Sequence, residues 1–174
     1  PTITAPTDGE GGSTSGIWDM DNIVQEEGGS TWPKRFLDTE LYSWGRNDDG
    51  QLGLNDTTYR SSPVQVGALI TWSKIAGGNK HSLVATNAAD GKLYAWGFND
   101  RGQLGQENTT TYSSPVQIGS LTTWSKVAGG AEHSLAIKTE GTLWALGYNS
   151  NGELGINNTT IQSSPVQVGS LTTW

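Results

Sequence analysis

One string of thirteen residues occurs three times in this chain and dictates most of what it can become. It reads LYSWGRNDDGQLG from Leu41 to Gly53, LYAWGFNDRGQLG from Leu93 to Gly105, and LWALGYNSNGELG from Leu143 to Gly155. Each copy runs on through a stretch rich in Asn and Thr into Ser-Ser-Pro-Val-Gln-Val/Ile-Gly. Gly45 and Gly97 lie 52 positions apart, and Gly97 and Gly147 lie 50 apart. A fixed period near 50 marks a repeat architecture: one supersecondary unit cannot bury its apolar face alone, and stacking supplies the core. Everything from residue 41 to 174 is this repeat.

Each repeat divides into the same four segments. In Leu-Tyr-x-Trp-Gly, large side chains alternate: Tyr42 with Trp44, Tyr94 with Trp96, Trp144 with Leu146. Between them stand Leu and a small residue: Leu41 and Ser43, Leu93 and Ala95, Leu143 and Ala145. In a strand these two sets point to opposite faces, one bulky and one hollow, which suits sheets stacked so that the rings of one fill the gap in the next. The third copy moves its Trp two positions upstream and keeps the bulk with Leu146, as packing allows and a catalytic constellation would not. With 24 Gly and 8 Trp among 174 residues, and only 33% hydrophobic, the chain reads as all-β, with many tight turns and a core of few large aromatics.

The second segment, Asn-x-x-Gly-Gln/Glu-Leu-Gly, is a tight turn, since Asn and Gly tolerate positive φ. In the third, Ser-Pro-Val-Gln, the Pro has no N–H to donate and belongs on an outer strand. The fourth, Trp-Ser-Lys-Ile/Val-Ala-Gly-Gly-x-x-His-Ser-Leu, reads as two strands joined at the glycines and occurs twice, at 72–83 and 124–135. A tip of variable length, Asn87 to Gly91 in one copy and Thr139 to Gly141 in the other, accounts for 52 against 50.

These motifs resemble the repeats of the regulator of chromosome condensation (RCC1) family, on W-G-x-N-x-x-G-Q-L-G, S-P-V-Q-V and A-G-G-x-x-H-S-L recurring in fixed order across 41–174. The resemblance implies a partial β-propeller of four-stranded blades. It implies less about function, because folds host unrelated activities. The loops and basic tail on which the founding member's nucleotide exchange and chromatin binding depend have no match here.

Ahead of the repeats, residues 1–16 are Thr, Ser, Gly, Pro and acid, and read as a flexible or extended arm. Residues 17–40 follow as a docking or adaptor segment, with Trp18, Met20, Ile23, Val24 and Trp32 as its apolar set. Two readings stay open: a cap on the edge of the first blade, or a peptide that inserts into another subunit. The stretch from Gly16-Ile17-Trp18-Asp19-Met20 to Trp32-Pro33 also resembles junction segments of tailed-bacteriophage structural proteins. That resemblance implies a virion tail or fibre component, with other virion proteins as partners through this segment, a host surface receptor, and homo-oligomers in the particle.

The residues that could carry chemistry have structural explanations. His81 and His133 are the only histidines and occupy one repeat position, in line with Leu83 and Ala85 or Leu135 and Ile137, so buried structural imidazoles are favoured over a metal pair. Asn47-Asp48-Asp49-Gly50 begins like a calcium loop but has no Glu at the twelfth position, and later copies lose the acids. Asn55-Asp56-Thr57, Asn108-Thr109-Thr110 and Asn158-Thr159-Thr160 fit the glycosylation pattern and serve equally as turn residues. No cysteine exists, and neither a Walker loop nor a Ser/His/Asp arrangement is present. A net charge of −7 with scattered basic residues argues against a nucleic-acid partner, and no apolar run of 18 residues could span a membrane.

The expected function is therefore non-enzymatic, with no catalytic residue, cofactor or metal. The leading reading is a virion protein presenting its propeller for interaction or host attachment. The other is a free-standing protein-binding module, bacterial (extracellular or cytoplasmic) or eukaryotic, including an exchange-factor-type scaffold. Two and a half blades leave apolar faces uncovered, so the blades are expected to belong to a larger propeller, through further chain beyond 174 or through several chains completing one ring.

Overall fold

The computed structural model describes residues 40–68, 71–87 and 89–174. The arm, and the set Trp18, Met20, Ile23, Val24 and Trp32, lie outside the described residues. The described residues form ten strands in chain order: β1 (Tyr42–Gly45), β2 (Arg60–Gln65), β3 (Trp72–Gly77), β4 (His81–Thr86), β5 (Leu93–Gly97), β6 (Tyr112–Gln117), β7 (Trp124–Gly129), β8 (His133–Lys138), β9 (Leu143–Gly147) and β10 (Gln162–Gln167). They form two four-stranded antiparallel sheets, β3-β4-β5-β6 and β7-β8-β9-β10, and a two-stranded sheet, β1-β2, which matches the outer half of the others. The fold is all-β, built of propeller blades.

The sheets start one hairpin earlier than the repeat as read along the sequence. β4 and β5 pair through the variable tip, so the Leu-Tyr-x-Trp strand belongs with the His-Ser-Leu strand before it. The link from Ser-Pro-Val-Gln to the next Trp then crosses between sheets. The two tips, 87–92 and 139–142, differ by the two residues that set the spacing. The Ser-Pro-Val-Gln strands are sheet edges, as expected. The register of β6 on β5 jumps from Gly97↔Tyr112 to Ala95↔Val116, and Pro115 sits inside that irregularity, where it costs no ladder bond.

The period-2 reading of β5 holds. Leu93 and Ala95 lie opposite Ala85 and Leu83 and share a face with them. Against that hollow face pack Trp124, Ala136 and Leu146 of the third sheet, with Trp144 beside them. The opposite face, carrying Val84, Tyr94 and Trp96, packs with Trp72 on Leu41 and Val66 of the first sheet. Rings meet edge to face at both interfaces: Trp72 on Tyr94 at 5.4 Å and 82°, and Trp124 on Trp144 at 5.9 Å and 80°.

A close approach makes each interface specific. A Cβ added to Gly53 would lie 2.6 Å from the Trp96 indole nitrogen, and one added to Gly105 would lie 2.6 Å from Leu146 Cδ1. The bulky residue of one sheet thus rests on the bare backbone of the preceding turn. The inner strands also converge, with β7 against β3 and β4. There a Cβ on Gly129 would meet Gly78 N at 2.7 Å and one on Gly78 would meet Gly130 O at 2.7 Å, while one on Gly77 would meet nothing within 4 Å.

Candidate functional site

The exposed rim where β5 joins β6 and β3 joins β4 is built on one buried amide per repeat. Asn47, Asn99 and Asn149 are each fully buried. Asn99 Oδ1 accepts the Leu104 N–H at 2.9 Å, while its Nδ2 donates to the carbonyls of Asn108 at 3.0 Å and Thr110 at 2.9 Å. Asn47 and Asn149 repeat the arrangement with Leu52, Asp56 and Thr58, and with Leu154, Asn158 and Thr160. The expected turn is also present, closed by Gly102 N–H to Asn99 O at 2.9 Å. The calcium-like stretch is one of these turns. Among the described residues no group of three or more His, Asp or Glu could hold a metal.

The glycosylation-like triplets are not equivalent. Asn55 aligns with Glu107 and Asn157, all at positive φ, whereas Asn108 and Asn158 align with Asp56, whose carboxylate oxygen accepts the Thr58 N–H. The pattern in the first copy is therefore shifted by one position from Asn108-Thr109-Thr110, and the third copy fits it in both registers, from Asn157 and from Asn158.

On this frame stand the residues that differ between repeats: Arg46, Phe98 and Tyr148 before the Asn, and Asp48, Asp49, Asp100, Arg101, Ser150 and Asn151 after it. Asp49 pairs with Lys80 across the first interface at 3.3 Å, and Arg101 pairs with Glu132 across the second at 3.7 Å. These are the same two positions with the charges exchanged. In each case the cation also lies over the aromatic of the following sheet: Lys80 at 5.1 Å from the Phe98 centroid, Arg101 at 5.5 Å from that of Tyr148. Asp48 is held below the usual carboxylate range by the Tyr59 hydroxyl and then by Arg46. The described residues hold ten Asp or Glu and eight Lys or Arg, so most of the net charge of −7 lies in residues 1–39.

Beneath the rim, His81 is buried and its Nε2 lies 2.9 Å from Ser134 Oγ of the next sheet. Ser134 Oγ in turn donates to Gln103 O at 2.9 Å. Burial, reinforced by His133, pushes the His81 imidazole down to about 4. Ser82 makes the corresponding bond to Gln51 O, which also accepts from Trp96 Nε1. His133 is half-buried, and its ring packs on Gly130, where an added Cβ would lie 2.2 Å from it. His81 is thus buried as its repeat position indicates, bonded to a side-chain hydroxyl of the next sheet, whereas His133 at the same position is only half-buried. The buried Asn hubs and the exchanged ion pairs are what sequence reasoning missed; the one available signal was an Asn kept in all three turns.

An open groove of about 420 Å³ runs beside β1, lined by Trp44, Ile75, Gly78, His81 and Trp96 among others. No helix among the described residues is long and apolar enough to cross a membrane.

Comparison with known proteins matches residues 38–85 and 90–137 to the family described as Regulator of chromosome condensation (RCC1) repeat. A second description of that repeat matches 72–103 and 124–153. The ultraviolet-B receptor UVR8 of Arabidopsis thaliana is 35% identical over 105 residues, 58% of this chain and 23% of that protein. The RCC2 homolog of Xenopus laevis is 41% identical over 105 residues, 57% of this chain and 20% of that protein. Among solved structures, Prp20p from Saccharomyces cerevisiae superposes with a TM-score of 0.67 at 23% identity, over 75% of this chain and 34% of that one. The chain thus spans under a quarter of the length of these two sequence relatives.

Proposed function

This chain belongs to the RCC1 repeat family, and from that premise we propose that it is a non-enzymatic protein-binding module whose contact surface is the rim. One observation carries the reading. The hub Asn and the Gly-Gln/Glu-Leu-Gly turn kept in all three turns, and the Ser of both His-Ser-Leu strands, are consumed in packing, while the rim residues that change stand exposed or half-exposed together on one edge. A surface that varies over a constant frame is how repeat scaffolds present a partner site. Mixed charge interleaved with Phe98, Tyr148 and Tyr59 suits a protein surface better than a phosphate backbone, which demands clustered cations. Prp20p, a structural neighbour, is described with binding properties to Gsp1p and histones. That likeness supports the fold, and the partner here is proposed only as a protein.

The expectation of a phage tail or fibre component rests on Gly16 to Pro33, outside the described residues, and the relatives reported above are eukaryotic. The free-standing module is the better supported of the two readings. Proximity crosslinking through photoreactive groups at positions 100 and 150, in the wild type and in a variant carrying Arg46→Ser, Phe98→Ser and Tyr148→Ser, tests it. A discrete protein adduct in the wild type, absent in a variant of unchanged thermal stability, is expected. Adducts unaffected by the substitutions would move the contact off the rim.

A further inference from the structure

The Asn-x-Thr triplets are a motif that packing absorbs in one copy and leaves over in another. Their register sorts them, because one loop position turns inward and the position before it turns outward. Asn108 holds the inward position. Its Oδ1 accepts the Thr110 N–H at 2.8 Å, and both hydrogens of its Nδ2 are spent, on Gln106 O at 2.9 Å and on the Tyr112 hydroxyl at 3.2 Å. In the first copy Asp56 takes the inward place, accepting the Thr58 N–H at 2.8 Å and pairing with Arg60. Asn55 is thereby moved one place outward. It is exposed at φ 63°, and its backbone N–H reaches Ser113 O of the next sheet at 2.7 Å. Its side-chain amide has no partner among the described residues, and Thr57, which completes the triplet, is exposed too.

The outward position projects clear of the stack in its own right. Glu107 fills it in the middle sheet, which has the first sheet on one side and the third on the other. There it is exposed at φ 57°, with its N–H on Ser163 O at 2.8 Å. The exposure of Asn55 is thus a property of the loop. Glu107 also shows that the backbone at this position does not demand an Asn.

We propose that Asn55 is an acceptor site for an N-linked sugar, and that Asn108, within the same triplet pattern, is not. The donor class is a glycosyl diphosphate. The Asn55 Nδ2 bonds to the anomeric carbon and the bond from that carbon to the diphosphate oxygen breaks. The diphosphate leaves with the electron pair, and one amide proton passes to a base. The exposed Thr57 hydroxyl is the third residue that such an acceptor requires. A sugar on Asn108 would take one of the two N–H groups already spent in the turn, so the folded state opposes it. The inference does not depend on the rim being a partner site.

The test is to incubate the folded 174-residue chain with UDP-glucose and a soluble N-glycosyltransferase that accepts Asn-x-Ser/Thr, and to read each site by peptide mass. Free peptides of the two loops, treated alike, set the reference for each site. Relative to that reference, Asn55 should gain a hexose about tenfold or more faster than Asn108, since modification at Asn108 gives up a buried hydrogen bond. Asn55→Gln and Thr57→Ala should each abolish it with an unchanged unfolding curve. Glu107→Asn, added to Asn55→Gln, should restore one hexose, now at position 107. A folded wild type left unmodified at Asn55 overturns the proposal. So does equal modification at Asn108, a Thr57→Ala chain modified like the wild type, or a folded Glu107→Asn chain that gains nothing.

Discussion

Ser134 has one hydroxyl proton and gives it to the Gln103 carbonyl, so the His81 nitrogen facing it must be the donor. That fixes the neutral Nε2–H tautomer and leaves Nδ1 buried, with no acceptor ready for a second proton. The depressed value near 4 follows from this burial. In the unfolded chain an imidazole titrates near 6.5, so the unfolded state takes up a proton first as pH falls. The stability that neutral His81 contributes is complete above about pH 6.5 and drains away down to about 4, by roughly 3 kcal/mol in all. Urea midpoints measured from pH 7.5 to 4 should show this acid limb, and His81→Gln should flatten it while lowering stability at neutral pH by about 0.5–3 kcal/mol. The hub amides make a sharper test. Asn99→Ala leaves one buried N–H and two carbonyls without their partner, and should cost about 2–4 kcal/mol in denaturant unfolding. Asp100→Ala next to it, on the exposed side of the turn, should stay within about 0.5 kcal/mol.

At the scale of strands, the alternation of Leu93 and Ala95 with Tyr94 and Trp96 was readable in advance, because side-chain period alone decides which face each occupies. The tip insertion and the edge position of Ser-Pro-Val-Gln were readable for equally local reasons. Three things were not. Which strand pair opens a sheet depends on where the chain crosses between blades, and a repeat has no marked beginning. The role of Asn99 was hidden because its turn already accounted for an Asn there, while its partners lie nine and eleven residues away. The pairing of Arg101 with Glu132 spans 31 residues and two sheets, beyond any local pattern. Both exchanged pairs are part-exposed, so neither is worth more than about 1 kcal/mol. Arg101→Glu should nevertheless set like charges against each other and lower the melting temperature slightly. Adding Glu132→Arg should restore it, and a double-mutant cycle measures the coupling.

Among the described residues, the middle sheet alone is covered on both faces, by the first sheet on one side and the third on the other. Stability in a stacked array is the sum of each unit and its neighbours' contacts, so it should peak in the centre. Amide exchange at low protein concentration should be slowest in β4 and β5, where Leu83, Val84, Ala85, Leu93 and Ala95 are fully buried, and fastest in β1 and β2. Uniform protection across all ten strands would contradict this.

The exchange of sign between Asp49–Lys80 and Arg101–Glu132 has a bearing on how such a chain finds its order. Near-identical units in tandem are prone to pair with the wrong neighbour, within one molecule or between two on a crowded ribosome. If the third sheet docked on the first, Glu132 would approach Asp49. If two copies of the middle sheet met, Lys80 would face Arg101. Each seam rejects the other's mate, so two weak ion pairs act as keys cut for different locks, and the units are numbered as well as joined.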